Sequence, residues 1–293
     1  MKKSLNYWVV GGFEKTYPID FILEKVKSWN FDAIELAFGS GELSYDVSYE
    51  TLDKVKKSLE KYELELSSLA AGFYWEYSLS DPDEKIRKKS IELSKKYIEV
   101  AHYLNADTVL VIPGYVDVGW VENSPVVPYD LAISLARESL SELLEFAESK
   151  KITLALENVW NKLFLSPLEM RDFIDSFKSN YIGSYFDVGN VVIFGYPEHW
   201  INILGNRIKR IHVKNFKRSD AGGGLHNFGE SILEGDVNWH NVLQALKKIG
   251  YDGYLTVEMI PFCRLPELNL PDLKLAEKMG KEIEYLINMY ENL

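Results

Sequence analysis

Five ionisable side chains lie in or close short strand-like runs: Glu35 in F-D-A-I-E-L-A-F, Glu157 in I-T-L-A-L-E, Asp187 in Y-I-G-S-Y-F-D, His212 in I-K-R-I-H-V and Glu258 in G-Y-L-T-V-E. Runs of this kind are strand-like, so each group stands at or near the place where a strand leaves the core. Glu157, Asp187 and Glu258, with the imidazole of His212, form a donor set for one divalent cation. Oxygen ligands with a single nitrogen suit Mn²⁺, Co²⁺ or Mg²⁺ better than a structural Zn²⁺. Three carboxylates exceed the charge of one such ion, which leaves a carboxylate free to move protons. An ion on a carbonyl and the adjacent hydroxyl of a sugar would act as a Lewis acid and stabilise an enediolate. Two glutamates on opposite sides of the reacting carbon could remove and return its proton.

Each group also has a plain structural reading. Asp187-Val188-Gly189-Asn190 reads equally as a turn. Glu258 could pair with Arg210 inside the fold, and His212 alone is a satisfied polar residue. What favours a shared site is the recurrence of such groups at the ends of several strands. Lys214 shares the face of His212 by period-2 alternation, so it is a candidate substrate contact, as are Glu35 and Asn190. Phe73, Tyr74, Trp75, Trp120 and Trp160, with Tyr7 and Trp8, are candidates to stack on an apolar sugar face, Trp75 and Trp120 foremost; packing or a subunit interface is the other reading. His102, His199 and His240 fall on predicted helices, and His226 in a glycine-flanked loop.

The elements needed to position these groups follow from periodicity. Predicted strands cover Leu5–Val10, Phe31–Phe38, Leu64–Ala70, Asp107–Ile112, Ile152–Glu157, Tyr181–Asp187, Arg207–Val213 and Gly253–Glu258. Helical patterns alternate with them, opened by Pro18, Pro167, Pro197 and the Asp81-Pro82-Asp83 cap. Strict alternation of strand and helix predicts a parallel sheet. Eight units in 293 residues predict an α/β fold, a (β/α)8 TIM barrel, as a single domain over 1–293. Barrel enzymes carry their chemistry at the carboxyl ends of the strands, where these residues lie. No G-x-G-x-x-G follows the first strand, which disfavours an open dinucleotide-binding sheet.

Bulk properties narrow the function. With 33 Lys and Arg against 44 Asp and Glu the formal charge is −11, which argues against a nucleic-acid partner. The one cysteine, Cys263, excludes an intrachain disulfide and a cysteine-rich zinc site. No apolar run reaches the ~20 residues of a membrane span, and the N-terminus lacks the apolar region of a signal peptide. The expectation is a cytoplasmic protein without membrane partners; a homo-oligomer, dimer or tetramer, is compatible with it.

The segments Ala155-Leu156-Glu157-Asn158, Phe186-Asp187-Val188-Gly189-Asn190, Ile211-His212-Val213-Lys214-Asn215, Glu234-Gly235-Asp236-Val237-Asn238-Trp239 and Val257-Glu258-Met259 resemble the xylose-isomerase-like sugar isomerase/epimerase superfamily. Within it the resemblance is closest to ketose 3-epimerases acting on D-tagatose or D-psicose, and to L-ribulose-5-phosphate 3-epimerase. It is weaker over residues 1–150. It implies a metal-dependent isomerase acting on a small sugar or sugar phosphate. It implies metal ligation by Glu157, Asp187, His212 and Glu258, with Glu157 and Glu258 as the acid/base pair. Arg218, six residues after the histidine, stands where free-ketose epimerases bind substrate. Asn190 departs from their histidine and resembles the phosphopentose enzymes, which leaves the substrate class open. Lys214, Lys217, Arg218 and Gly222–Gly224 follow the seventh strand, where barrels commonly bind phosphate. A keto-inositol dehydratase or an aldose–ketose isomerase would use the same site, and a non-catalytic sugar-binding barrel is the remaining alternative. A trinuclear zinc endonuclease of the same superfamily needs more histidines than this chain offers.

Overall fold

A computed structural model describes residues 1–12, 17–119, 124–218, 228–259 and 273–293. Eight strands close into a parallel barrel, each hydrogen-bonded to the next and the last to the first. They are β1 (Lys2–Asn6), β2 (Ala33–Phe38), β3 (Glu65–Ala71), β4 (Thr108–Val111), β5 (Thr153–Glu157), β6 (Ile182–Asp187), β7 (Ile208–Val213) and β8 (Tyr254–Val257). Helices such as Ile19–Ser28, Tyr49–Lys61, Glu84–Tyr103, Tyr129–Lys150 and Trp239–Lys248 alternate with the strands. The expected α/β barrel is thus the observed one. Among the described residues no helix is long and apolar enough to cross a membrane.

Local chemistry accounts for the helix starts. Asp83 accepts the Lys85 N–H at the head of Glu84–Tyr103. Ser166 and Glu169 form a reciprocal capping box around Pro167, which satisfies two otherwise orphaned backbone donors. The predicted first strand needs correction. Leu5–Val10 was expected as strand, but β1 ends at Asn6 and Tyr7–Gly11 is a short helix. Asn6 Oδ1 accepts the Trp8 N–H at 2.9 Å, and this cap turns the chain. Short apolar runs such as Y-W-V-V carry no period that separates strand from helix.

Two register shifts matter for what lies inside the barrel. Between β2 and β3 the pairing steps from Ile34↔Leu66 to Glu35↔Ser68. Between β6 and β7 it steps from Ser184↔Ile208 to Tyr185↔Arg210, so that Asp187 lies opposite His212. Each shift adds one residue on the partner strand, and side chains alternate faces along a strand. Glu35 and Ser68 therefore share an interior row, as do Asp187 and His212.

The barrel floor is held by charge pairs. Glu65 receives the Lys2 ammonium and the Tyr254 hydroxyl. Arg210 donates to the Ser67 carbonyl at 2.6 Å, pairs with Asp107 and lies 5.1 Å from the Tyr254 ring. Arg210 was a candidate partner for Glu258 inside the fold. Its partner is instead Asp107, on the partly exposed floor. Near the start of β6, Gly183 permits close approach of the segment entering β7. A Cβ there would fall 2.6 Å from the Arg207 carbonyl oxygen. Backbone cannot yield as a side chain would, so Gly183→Ala is expected to cost roughly 1–3 kcal/mol. Urea denaturation checks this, and a change inside ~0.5 kcal/mol, the usual range for surface substitutions, would contradict it.

Candidate metal and substrate site

Strands β5 to β8 deliver one donor group each. Glu157 ends β5, Asp187 ends β6, His212 is the penultimate residue of β7, and Glu258 follows β8, where its N–H donates to Val213 O at 3.1 Å. One ligand atom from each of these four residues lies within 4.8 Å of the others, and all four residues are buried. His212 Nδ1 is 3.1 Å from Glu157 Oε1, 3.5 Å from Glu258 Oε2 and 3.9 Å from Asp187 Oδ2. Sequence reasoning nominated these four, and the fold brings them together.

The supporting contacts were less visible. Asn158 holds Asp187 through the main chain: its Nδ2 donates to Asp187 O at 2.8 Å, and its Oδ1 accepts the Asp187 N–H at 2.9 Å. Asp187 Oδ1 accepts the Asn190 N–H at 2.7 Å, and Asn190 Nδ2 donates to Asn158 O at 3.0 Å. Asn190, expected as a substrate contact, is buried and spends its side-chain amide on this clasp. Asn158 directly follows Glu157, and that adjacency is the only sequence signal for its role.

Lys214 lies beside the cluster as its internal cation. Its Nζ is 2.6 Å from Glu258 Oε2 and 2.9 Å from Asp187 Oδ2, with the Phe228 ring centroid at 5.3 Å. The Lys214 stem packs against Gly189, where a Cβ would come within 2.5 Å of Lys214 Cγ. Glu35 departs from expectation. It is fully buried, and its carboxylate faces Asn6, Ser68 and His212 rather than the mouth.

The aromatic candidates separate into two groups. Phe73 and Tyr74 are core residues, packed with Phe38 and Tyr97. Trp160, Phe216 and Phe228 cluster beside Lys214 with ring centroids 5.1–5.2 Å apart, and Trp160 Nε1 donates to Asn190 O at 2.9 Å. Trp75 is half-buried at the end of a 3-10 turn, Phe73–Trp75. Arg218 is exposed, 3.8 Å from Asp236 and above the Tyr196 ring. Trp120, Gly222–Gly224, His226 and Cys263 lie outside the described residues.

Burial, reinforced by Glu258, pushes the Glu157 carboxyl up to about 7, against the pull of His212 and Lys214. Burial also raises Asp187, although Lys214 opposes it. For His212 burial favours the neutral ring, yet Glu258 and Glu35 hold it well above the usual imidazole range.

These residues fit a divalent cation. A hard or borderline ion sits about 2.0–2.3 Å from oxygen and nitrogen donors, so four donors within 4.8 Å of one another can share one centre. The buried Asp187 Oδ2 faces the cluster, 2.9 Å from Lys214 Nζ and 3.9 Å from His212 Nδ1, and a carboxylate oxygen has a second lone pair to offer an ion. Glu157, Asp187 and Glu258 outweigh the one ammonium among them. Excess Mn²⁺ at 100 times its Kd would add about 2.7 kcal/mol of stability and raise Tm by several degrees. Asp187→Asn should abolish that rise; thermal unfolding with and without the ion measures both.

Comparison with known proteins places this architecture. A family model described as xylose isomerase-like TIM barrel matches residues 23–288. An uncharacterised protein of Methanocaldococcus jannaschii is 28% identical over 270 residues, 91% of this chain and 85% of that one. The L-ribulose-5-phosphate 3-epimerase of Escherichia coli is 24% identical over 260 residues, 85% and 86% of the two chains. The structure of D-psicose 3-epimerase from Clostridium cellulolyticum H10 superimposes with a TM-score of 0.80 at 18% identity, over 99% of each chain.

Proposed function

We propose, on the premise that the chain belongs to the xylose isomerase-like TIM barrel family, that it is a metal-dependent isomerase that epimerises a ketose at C3. The observation that carries the reading is the order of ligands around the barrel. Glu157 on β5 and Glu258 after β8 end the arc, with Asp187 and His212 between them. Two carboxylates flanking one centre can address opposite faces of a substrate carbon, which is what inversion of a C–H stereocentre requires. The similarity to L-ribulose-5-phosphate 3-epimerase supports the same reaction class.

Glu157, Asp187, His212 and Glu258 would hold the ion. A divalent cation at this position would supply Lewis-acid polarisation of the carbonyl and its neighbouring hydroxyl. One glutamate removes the C3 proton, and the other delivers a proton to the opposite face. Glu157 and Glu258 differ in surroundings: Glu258 carries the Lys214 ammonium at 2.6 Å, whereas Glu157 faces His212. Unequal environments of this kind divide acid and base roles between two carboxylates. Asn158 and Asn190 keep Asp187 in place, and Trp160, Phe216 and Phe228 form an apolar wall beside Lys214.

That wall favours an unphosphorylated ketose. Lys214 is engaged by Glu258 and Asp187, so it orients a nearby hydroxyl rather than capturing a phosphate. Trp75 and Arg218 are further substrate contacts in this reading.

Incubation with free ketoses and ketose phosphates in D2O tests the proposal, with deuterium entry at C3 followed by NMR. Exchange should require a divalent ion and be fastest with an unphosphorylated ketose. No exchange with any ketose would sink the epimerase reading. Glu157→Gln and Glu258→Gln should each lose about 10²–10⁴-fold in rate. Wild-type turnover in either variant would remove that glutamate from the acid/base pair.

A further inference from the structure

We propose that Glu35 is a positioning residue for the metal centre: it acts through Nε2 of His212 to fix the ring's orientation and tautomer, so that Nδ1 faces Glu157, Asp187 and Glu258 as a ligand. The inference rests on the metal reading of the site. The two ring nitrogens point to different carboxylates, Nδ1 to Glu157 Oε1 at 3.1 Å and Nε2 to Glu35 Oε2 at 2.8 Å. Glu35 is therefore on the far side of the ring from the donor cluster and is not itself a ligand.

The surrounding hydrogen bonds decide the proton's place. Trp8 N–H donates to Asn6 Oδ1, so the other end of that amide, Nδ2, faces Glu35 Oε2 at 2.6 Å and must donate. Ser68 Oγ donates to Glu35 Oε1 at 2.9 Å. The same hydroxyl can accept from Tyr185 OH at 3.0 Å, which completes its bonding. Glu35 thus stands as an acceptor on both oxygens, and an ionised carboxylate only accepts. His212 must then carry a proton on Nε2, and the lone pair available to an ion is that of Nδ1. Tyr185 also packs its ring against the imidazole, with centroids 4.3 Å apart and planes inclined at 47°, so rotation of the ring is blocked.

Glu35, Asn6, Ser68, Tyr185 and His212 are all fully buried. A buried carboxylate is costly unless its partners are complete, and here the partners come from β1, β3 and β7. Histidine ligands whose second nitrogen donates to a carboxylate are better oriented and more basic. Strands that contribute no ligand thereby build the back of the metal site.

The test is titration of chelator-stripped full-length protein with Mn²⁺ by calorimetry, for wild type, Glu35→Ala and Glu35→Gln. Glu35→Ala should weaken binding about 10–100-fold. Glu35→Gln keeps an acceptor oxygen but loses the charge, and should restore part of that loss while still binding roughly three- to tenfold more weakly than wild type. In Co²⁺-loaded protein the exchangeable, hyperfine-shifted imidazole N–H signal of His212 should be sharp in wild type and shifted or lost in Glu35→Ala. A purely structural carboxylate would lower Tm and leave the ion affinity and this signal unchanged, and that result overturns the proposal. If Glu35→Ala does not fold, Glu35→Gln decides: affinity within twofold of wild type, with an unmoved signal, overturns it. Ion uptake by wild type with unchanged variants removes only the role of Glu35. No uptake by wild type overturns the metal reading as well.

Discussion

The structure depends on keeping four carboxylates, Glu35, Glu157, Asp187 and Glu258, buried at one end of a barrel. Like charges in a low-dielectric interior repel strongly, and desolvation penalises each one separately. The fold meets this with one imidazole and one ammonium. His212 lies between Glu35 and Glu157, and Lys214 between Asp187 and Glu258. Negative charge is still in excess, and a divalent cation held among these groups would offset it.

The barrel divides this work by strand. Strands β5 to β7 and the residue after β8 carry the candidate ligands, whereas β1 to β3 carry Asn6, Glu35 and Ser68, which surround the far side of the histidine. At the opposite end Lys2, Glu65, Tyr254, Arg210 and Asp107 tie strands together at the floor, away from the chemistry. Charged groups at the two ends of the same strands therefore do different things: floor groups are paired near solvent, and those at the carboxyl ends are buried and underpaired. Arg210 and His212 share a face of β7 but belong to opposite ends of this arrangement.

The four clustered donor residues and the barrel were legible because each rests on a local signal. A strand that ends in Glu, Asp or His is readable from its apolar run, and eight strand–helix alternations imply closure. The boundaries of β1 were misread because Tyr7–Val10 carries no period, and the cap made by Asn6 is a single side-chain bond. Glu35 was recognised as a strand-end carboxylate but assigned to the wrong side of the site. Asn190 was nominated for the substrate yet braces Asp187, since nothing in D-V-G-N distinguishes a clasp from a contact.

Sequence alone determined the fold class, the residues at the carboxyl ends of the strands and hence the donor set, because local periodicity and residue chemistry suffice for those. Tertiary structure decided which way each group faces. The register steps at Ile34/Glu35 and Ser184/Tyr185 place Glu35 beside Ser68 and Asp187 opposite His212. A slip of one residue would turn those side chains to the other face of the sheet. Such a step arises from pairing between strands distant in sequence, so no local pattern announces it. The same holds for His212: its position was readable from I-H-V-K, but the direction of each ring nitrogen was set by carboxylates 55 and 177 residues away.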